Sequence, residues 1–285
     1  MKTILLPTDF KKHSETAMQF AIKIAQQTGA EIIITHAYLI PSMDIPLPTY
    51  MTSNILEEQQ AAVENELGYY KETISKYFYT NGDPIQSKSL AEQDLPASEI
   101  VHLIKDKNIE LVVMGLEDEN HLFKFLTSTA VQVLNNIHCP LLLVHEQSKV
   151  TDFKNICFAL ENIHEDLPKI GQLLPLAKVF NADVSLYHID KSPEGIDDLT
   201  NLWEQRRHHD FLLHEIKQQY NYPNISFRYN LSDEIFDTMD GIVQQSHPDV
   251  LALVHKKRNW VQLVFHKSVI RHMIKNANTP LFIIH

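Results

Sequence analysis

The chain has 285 residues, 44% of them hydrophobic and 21% charged. That is ample for a packed core and about twice the usual length of one domain. A formal net charge of −11 argues against bulk attraction to nucleic acid or anionic lipid.

The first apolar run, residues 2–7 of MKTILLPTDF, predicts a buried strand and is too short for a signal peptide. Ala17, Phe20, Ala21, Ile24 and Ala25 then recur at helical spacing, with Gly29 as a left-handed C-terminal cap. A strand follows at 31–37, then a proline-rich stretch from Tyr38 to Asn54 and a long helix at 56–80. Strand 86–90, helix 96–107, strand 110–114, helix 123–136 and strand 140–145 complete the first half. The second half reads as strand 154–160, helix 166–180, strand 183–189, helix 197–220, strand 225–229, helix 232–246, strand 249–254, helix 262–276 and strand 280–284. No stretch approaches the ~18 apolar residues of a membrane span. Cys139 and Cys157 sit in apolar strand-like segments and read as buried reduced thiols, too few for a disulfide framework. The expected compartment is the cytoplasm, with no membrane and no nucleic acid as partner.

The two halves are copies. Ile4 to Asp9 aligns with Ile156 to Glu161, and Gly29 to His36 aligns with Asn181 to His188, both at an offset of 152. Leu111 to Gly115 aligns with Leu251 to His255, and Cys139 to Val144 with Thr279 to Ile284, at an offset of 140. The difference, about 12 residues, is an insertion in the first half within the stretch from Tyr38 to Asn54. Strands alternating with helices predict an α/β fold: two tandem doubly wound parallel sheets, in domains 1–147 and 150–285. In such sheets ligands bind beyond the carboxyl ends of the strands where strand order switches. Asp9 follows the first strand and Gly115 the fourth, so these positions and their counterparts Glu161 and His255 are the ones to interrogate.

ILLPTDF at the start, ELVVMG at 110–115 and CPLLLV at 139–144 resemble the signature strands of universal stress proteins, once per half and in the same element order. The resemblance implies a Rossmann-like fold of the adenine nucleotide alpha hydrolase type. It also implies pairing of the two halves through their last strands as an intramolecular pseudo-dimer, a homodimer, and a role in stress response. Nucleotide-binding members are similar to one another in a loop of Gly, two residues, Gly, nine residues, Gly, then Ser or Thr. Glycines there let backbone N–H groups approach phosphates, beside a helix N-terminus.

This chain departs from that loop. Gly115 is kept, but Asp118 stands at the second glycine and Thr127 or Ser128 at the third, and Glu117, Asp118 and Glu119 put carboxylates where phosphates would lie. Like charges about 4 Å apart repel by about 1 kcal/mol even in water. In the second half His255, Arg258 and Lys267 replace the three glycines, Glu161 replaces Asp9, and Ser268 keeps the hydroxyl of Ser128. Asp9 reads either as a ligand contact or as a cap for the following helix. The basic run His255-Lys256-Lys257-Arg258-Asn259-Trp260 reads either as a solvated loop or as an anion site.

Among 16 histidines, His208, His209 and His214 lack the i, i+4 spacing of a helical zinc pair, while His255, His266 and His272, clustered around the second loop and its helix, read either as partly exposed histidines or as a shared zinc site. His36 and His188 match across the repeat and imply a shared structural role at the pocket floor. Met43, Ile45, Leu47, Tyr50 and Met51, stiffened by Pro41, Pro46 and Pro48, read as a lid or as a partner-docking element. No nucleophile–base constellation stands out. The expectation is therefore a non-enzymatic protein acting through ligand or partner binding, with no cofactor. Two alternatives remain: an ATP- or AMP-binding module with slow hydrolysis, and a binder of another anionic small molecule at the second-half basic loop.

Overall fold

The computed structural model describes residues 1–38, 49–116, 129–256, 272–273 and 279–285. The chain forms two compact units, Met1–Val150 and Thr151–His285.

In the first unit the strands are β1 (Thr3–Pro7), β2 (Glu31–Ala37), β3 (Ser87–Glu92), β4 (Leu111–Leu116) and β5 (Leu141–His145). Their order is β3-β2-β1-β4-β5 and every pairing is parallel. The order reverses between β1 and β4, which opens a crevice at their carboxyl ends. Ile4, Leu5 and Leu6 of β1 and Leu111, Val112 and Val113 of β4 are fully buried, as expected for strands covered on both faces. Among the described residues the helices between them are α1 (Lys12–Thr28), α2 (Thr49–Ser75), α3 (Pro96–Asp106) and α4 (Thr129–Asn136). The apolar spacing of α1 buries Ala17, Phe20, Ala21, Ile24 and Ala25 against β1, β4 and β5. It ends at Gly29, with φ 73°, a conformation that glycine adopts without a Cβ penalty.

The second unit repeats the plan with β6 (Asn155–Leu160), β7 (Asp183–Asp190), β8 (Ile225–Leu231), β9 (Val250–Val254) and β10 (Leu281–Ile284), in the parallel order β10-β9-β6-β7-β8. Asn181 takes the place of Gly29 and holds φ 48°; asparagine is the other residue that tolerates this geometry.

One expectation needs correcting. The helix read at 166–180 is three pieces: α5 (Ile163–Asp166), a 3₁₀ turn (Leu167–Gln172) and α6 (Leu174–Phe180). Pro168 and Pro175 open the second and third pieces, where a missing N–H is tolerated; inside one continuous helix each would break it. Two long helices follow, α7 (Ile196–Tyr220) and α8 (Ile235–Ser246). The helix expected at 56–80 spans Thr49–Ser75. The insertion residues 41–48 lie outside the described residues, as does the helix expected at 262–276 except for His272 and Met273.

Candidate functional site

In the first unit the chain leaves β1 and turns through Thr8, Asp9 and Phe10 into α1. Asp9 Oδ1 accepts from Lys11 N at 3.1 Å and from Ser14 Oγ at 2.7 Å, and lies 3.2 Å from His13 Nε2. Asp9 N donates in turn to Ser14 Oγ at 3.3 Å. Asp9 is thus the organiser of the first turn of α1, satisfying groups a helix start leaves open. Partial burial pushes its carboxyl up, but the His13 and Ser14 hydrogen bonds and the His13 charge hold it well below the ordinary carboxylate value. Phe10 sits at φ 63°, costly for a bulky residue. Its ring is held there by stacking on His36 at 4.3 Å and by an edge contact with Tyr70 at 5.9 Å.

Gly115 faces the same turn. A Cβ at this position would collide with the backbone carbonyl of His13 and lie 2.6 Å from His13 Cδ2. The glycine therefore lets the first turn of α1 pass directly over β4, a role that needs no phosphate.

Between these elements lies a cavity of about 200 Å³. Asp9, His13, Thr35, His36 and Glu99 contribute polar groups; Ala37, Ile100, Met114, Leu116 and Ala130 are among its apolar walls. His36 Nδ1 is 2.8 Å from Thr8 O. A carbonyl can only accept, so Nδ1 carries the proton and a neutral ring presents Nε2 as an acceptor. Thr35 and Glu99 are 2% and 5% exposed, and neither Thr35 Oγ1 nor Glu99 Oε1 has a hydrogen-bond partner among the described residues. Burial, then the Glu92 charge, pushes the Glu99 carboxyl above its ordinary value, with His102 opposing and Asp94 adding. No lysine or arginine lines this cavity among the described residues. Thr127, Ser128 and the acidic run Glu117–Glu119 lie outside the described residues.

The second unit rebuilds the same turn with its charges exchanged. Ser14 corresponds to Asp166, and the N–H capped by Ser14 in the first unit becomes Glu161 N, donating to Asp166 Oδ2 at 2.9 Å; Asn162 N donates to the same oxygen at 2.8 Å. Asp166 is fully buried. Its other oxygen is 3.3 Å from Lys256 Nζ, which also lies 3.4 Å from Glu161 and 3.3 Å from Glu165. Burial alone would depress the Lys256 ammonium, but Asp166 and Glu161 raise it above the ordinary lysine value. The sequence left Lys256 two readings, a residue of a solvated loop or a contact for an anion. It points inward, within 3.4 Å of three carboxylates. His255 is buried, its backbone N–H donates to Ile284 O at 2.7 Å, and its ring meets that of His285 edge-on. Arg258 and Ser268 lie outside the described residues, as do Lys257, Trp260 and His266.

The matched histidines play the same part in both units: His188 Nδ1 is 2.9 Å from Leu160 O, as His36 is from Thr8 O. Around His188 the second unit adds a cluster with no counterpart in the repeat signal. Asp190 lies 3.2 Å from His188 Nε2 and 3.3 Å from an Arg206 nitrogen, and Arg206 stacks 4.7 Å over the Tyr229 ring. The buried His209 packs beside His164, His188, Phe227 and Tyr229. Sequence spacing missed this group, because His164, His188, Arg206 and His209 come from three separate elements. Among the described residues, no three His, Cys, Asp or Glu side chains are arranged to hold a metal ion.

Burial, with the neighbouring His188, His164 and His208, lowers His209 from 6.5 to about 4, Asp190 opposing. The unfolded chain therefore takes up this proton first. The stability contributed by neutral His209 is present above pH 6.5 and is lost as pH falls toward 4. His209→Leu should reduce the loss of second-unit stability between neutral pH and about pH 4 by about 2 kcal/mol, allowing for partial solvation of the cluster. Urea unfolding at the two pH values measures it.

No described helix is long and apolar enough to cross a membrane. A model of the universal stress protein family matches residues 1–145. A universal stress protein of Methanocaldococcus jannaschii is 29% identical over 153 residues, 52% of this chain and 84% of that protein. One from Thermus aquaticus is 30% identical over 144 residues, 50% of this chain and 98% of that one. The crystal structure of a universal stress protein from Archaeoglobus fulgidus superposes with a TM-score of 0.68 at 14% identity, covering 99% of this chain and 95% of that one. A putative universal stress protein from Pseudomonas aeruginosa gives 0.59 at 12% identity, with 100% and 93% covered. Those two structures bear on the fold, which spans both units; the family-model match to half the chain carries the assignment, and the chain belongs to the universal stress protein family.

Proposed function

We propose that this chain is a non-enzymatic, cytoplasmic stress-response or signalling protein that works by binding: a small ligand in the first-unit cavity, and a protein partner or a second copy elsewhere. The cavity carries the reading. It lies at the switch in strand order, offers about 200 Å³ of space, and contains buried polar groups with nothing in the described chain to satisfy them. Its size is below the roughly 300–1,000 Å³ of pockets that engulf drug-sized ligands. Two carboxylates and no lysine or arginine among its described lining are poor chemistry for a triphosphate, which needs cations or a run of backbone donors. The second unit supports the same division of labour, because Lys256 is spent on its own carboxylates.

Calorimetric titration with ATP, with and without magnesium, tests this. The expected result is no heat, and no nucleotide released when the purified protein is denatured. Micromolar binding of ATP would overturn the reading and favour the nucleotide-binding alternative.

A further inference from the structure

We infer that the first-unit cavity recognises a small organic cation, an ammonium or amidinium head on a compact apolar body, with Glu99 and Thr35 as the residues that read the head. The inference rests on the reading of this cavity as a ligand site and adds the chemical class of what enters it.

Two buried groups point to a missing partner, one a carboxylate oxygen that calls for a donor and the other a hydroxyl that can accept or donate. Glu99 Oε1 and Thr35 Oγ1 belong to side chains 5% and 2% exposed, both line the cavity, and neither has a partner among the described residues. A buried polar atom left unpaired is destabilising, and a buried carboxylate more so. The other polar groups do not relieve it. Asp9 is engaged with Ser14, Lys11 and His13 at the start of α1. His36 has its one neutral-state proton on Thr8 O, leaving an acceptor. Among the described lining residues the sole basic group besides His36 is His13, already 3.2 Å from Asp9. Among its described lining the cavity thus presents an unpaired carboxylate oxygen and an unpaired hydroxyl, with no lysine or arginine beside them.

The remaining walls set the rest of the ligand. Ala37, Ile100, Met114, Leu116 and Ala130 favour a hydrocarbon body. The space, about 200 Å³, is below that of pockets that engulf drug-sized ligands and suits a compact head group and body. Glu99 also stands in the first turn of α3, where a carboxylate meets the positive end of the helix. That interaction explains an acid on the helix; it does not explain why the acid is buried against an open space with one oxygen unpaired.

The test uses the full chain and two matched probe pairs: benzamidine against benzoate, and butylamine against butyrate, with ATP as a fifth probe. Binding is read by calorimetry and by the amide resonances of Thr35, Ile100 and Gly115. The cations should bind and shift these resonances, and the anions should bind at least about 10-fold more weakly. Glu99→Gln, which keeps the shape and removes the charge, should lower cation affinity about 10- to 100-fold, the scale of one lost charged hydrogen bond, and erase the preference over the anions. Thr35→Val should weaken cation binding less and leave the preference in place. If an anion or ATP shifts the same resonances as strongly as the cations, or if Glu99→Gln leaves benzamidine and butylamine affinity unchanged, the cation assignment is overturned while the cavity stands as a ligand site. If none of the five probes moves these resonances, both the cation assignment and the cavity reading fall.

Discussion

Replacing Lys256 with methionine should destabilise the second unit by about 3–5 kcal/mol, the range for removing one partner of a buried ion pair. Asp166 is fully buried, and Lys256 Nζ stands 3.3 Å from it. Two backbone N–H groups donate to its other oxygen but bring no counter-charge. Without the ammonium, the fully buried Asp166 carboxylate loses its ion-pair partner. The double variant Lys256→Met, Asp166→Asn should recover much of the loss, since asparagine still accepts from Glu161 N and Asn162 N and carries no charge. A cycle of the two single variants and the double variant, by urea unfolding, isolates this coupling. Because Lys256 is raised above its ordinary value, its contribution is fully present below pH 10.5 and is lost as pH rises through its folded value. A loss below about 1 kcal/mol for Lys256→Met would place the ammonium among ordinary solvent-screened pairs.

This arrangement also shows how far the sequence could be read. The duplicated strands were legible because buried parallel strands need continuous apolar runs, and ILLP, LVVM and LLLV announce themselves. The offset of 152 held down to single hydrogen bonds: His36 on Thr8 O and His188 on Leu160 O repeat across the units. The same alignment pairs Ser14 with Asp166 and, at the 140 offset, Leu116 with Lys256. Neither exchange looks meaningful alone. An acid for a serine and a lysine for a leucine make sense only when the fold brings the two positions to 3.3 Å. A basic-looking run around Lys256 was therefore open to an anion site, although its first lysine is turned inward. Glu99 and Thr35 were hidden for a different reason: one sits in a helical first turn and the other within an apolar strand, and only tertiary packing shows that both are buried without partners. The break in the helix expected at 166–180 was within reach, because Pro168 and Pro175 both stand inside the predicted span.

Gly115→Ala should destabilise the first unit by about 2–3 kcal/mol, the scale of overpacking at a site that cannot yield. The new methyl would meet the His13 carbonyl carbon at 2.5 Å and His13 Cδ2 at 2.6 Å. A side chain could rotate away; the backbone of the first turn of α1 could do so only by giving up the Asp9 and Ser14 hydrogen bonds that fix it. The companion variant separates these two causes. His13→Ala removes the Cδ2 clash but leaves the carbonyl, so Gly115→Ala, His13→Ala should remain nearly as unstable as Gly115→Ala once the effect of His13→Ala alone is subtracted. The second unit supplies a natural comparison. There the corresponding position is His255, a full side chain, and the chain after β6 forms four residues of helix followed by a 3₁₀ turn instead of one long helix. A strand-end glycine and an unbroken helix across it thus occur together in one unit and are absent together in the other. If Gly115→Ala unfolds normally but changes ligand binding, the glycine serves the approach of a ligand. If it destabilises as expected, the family's first loop glycine has a packing duty in this chain that would keep it in place whether or not a phosphate ever binds beside it.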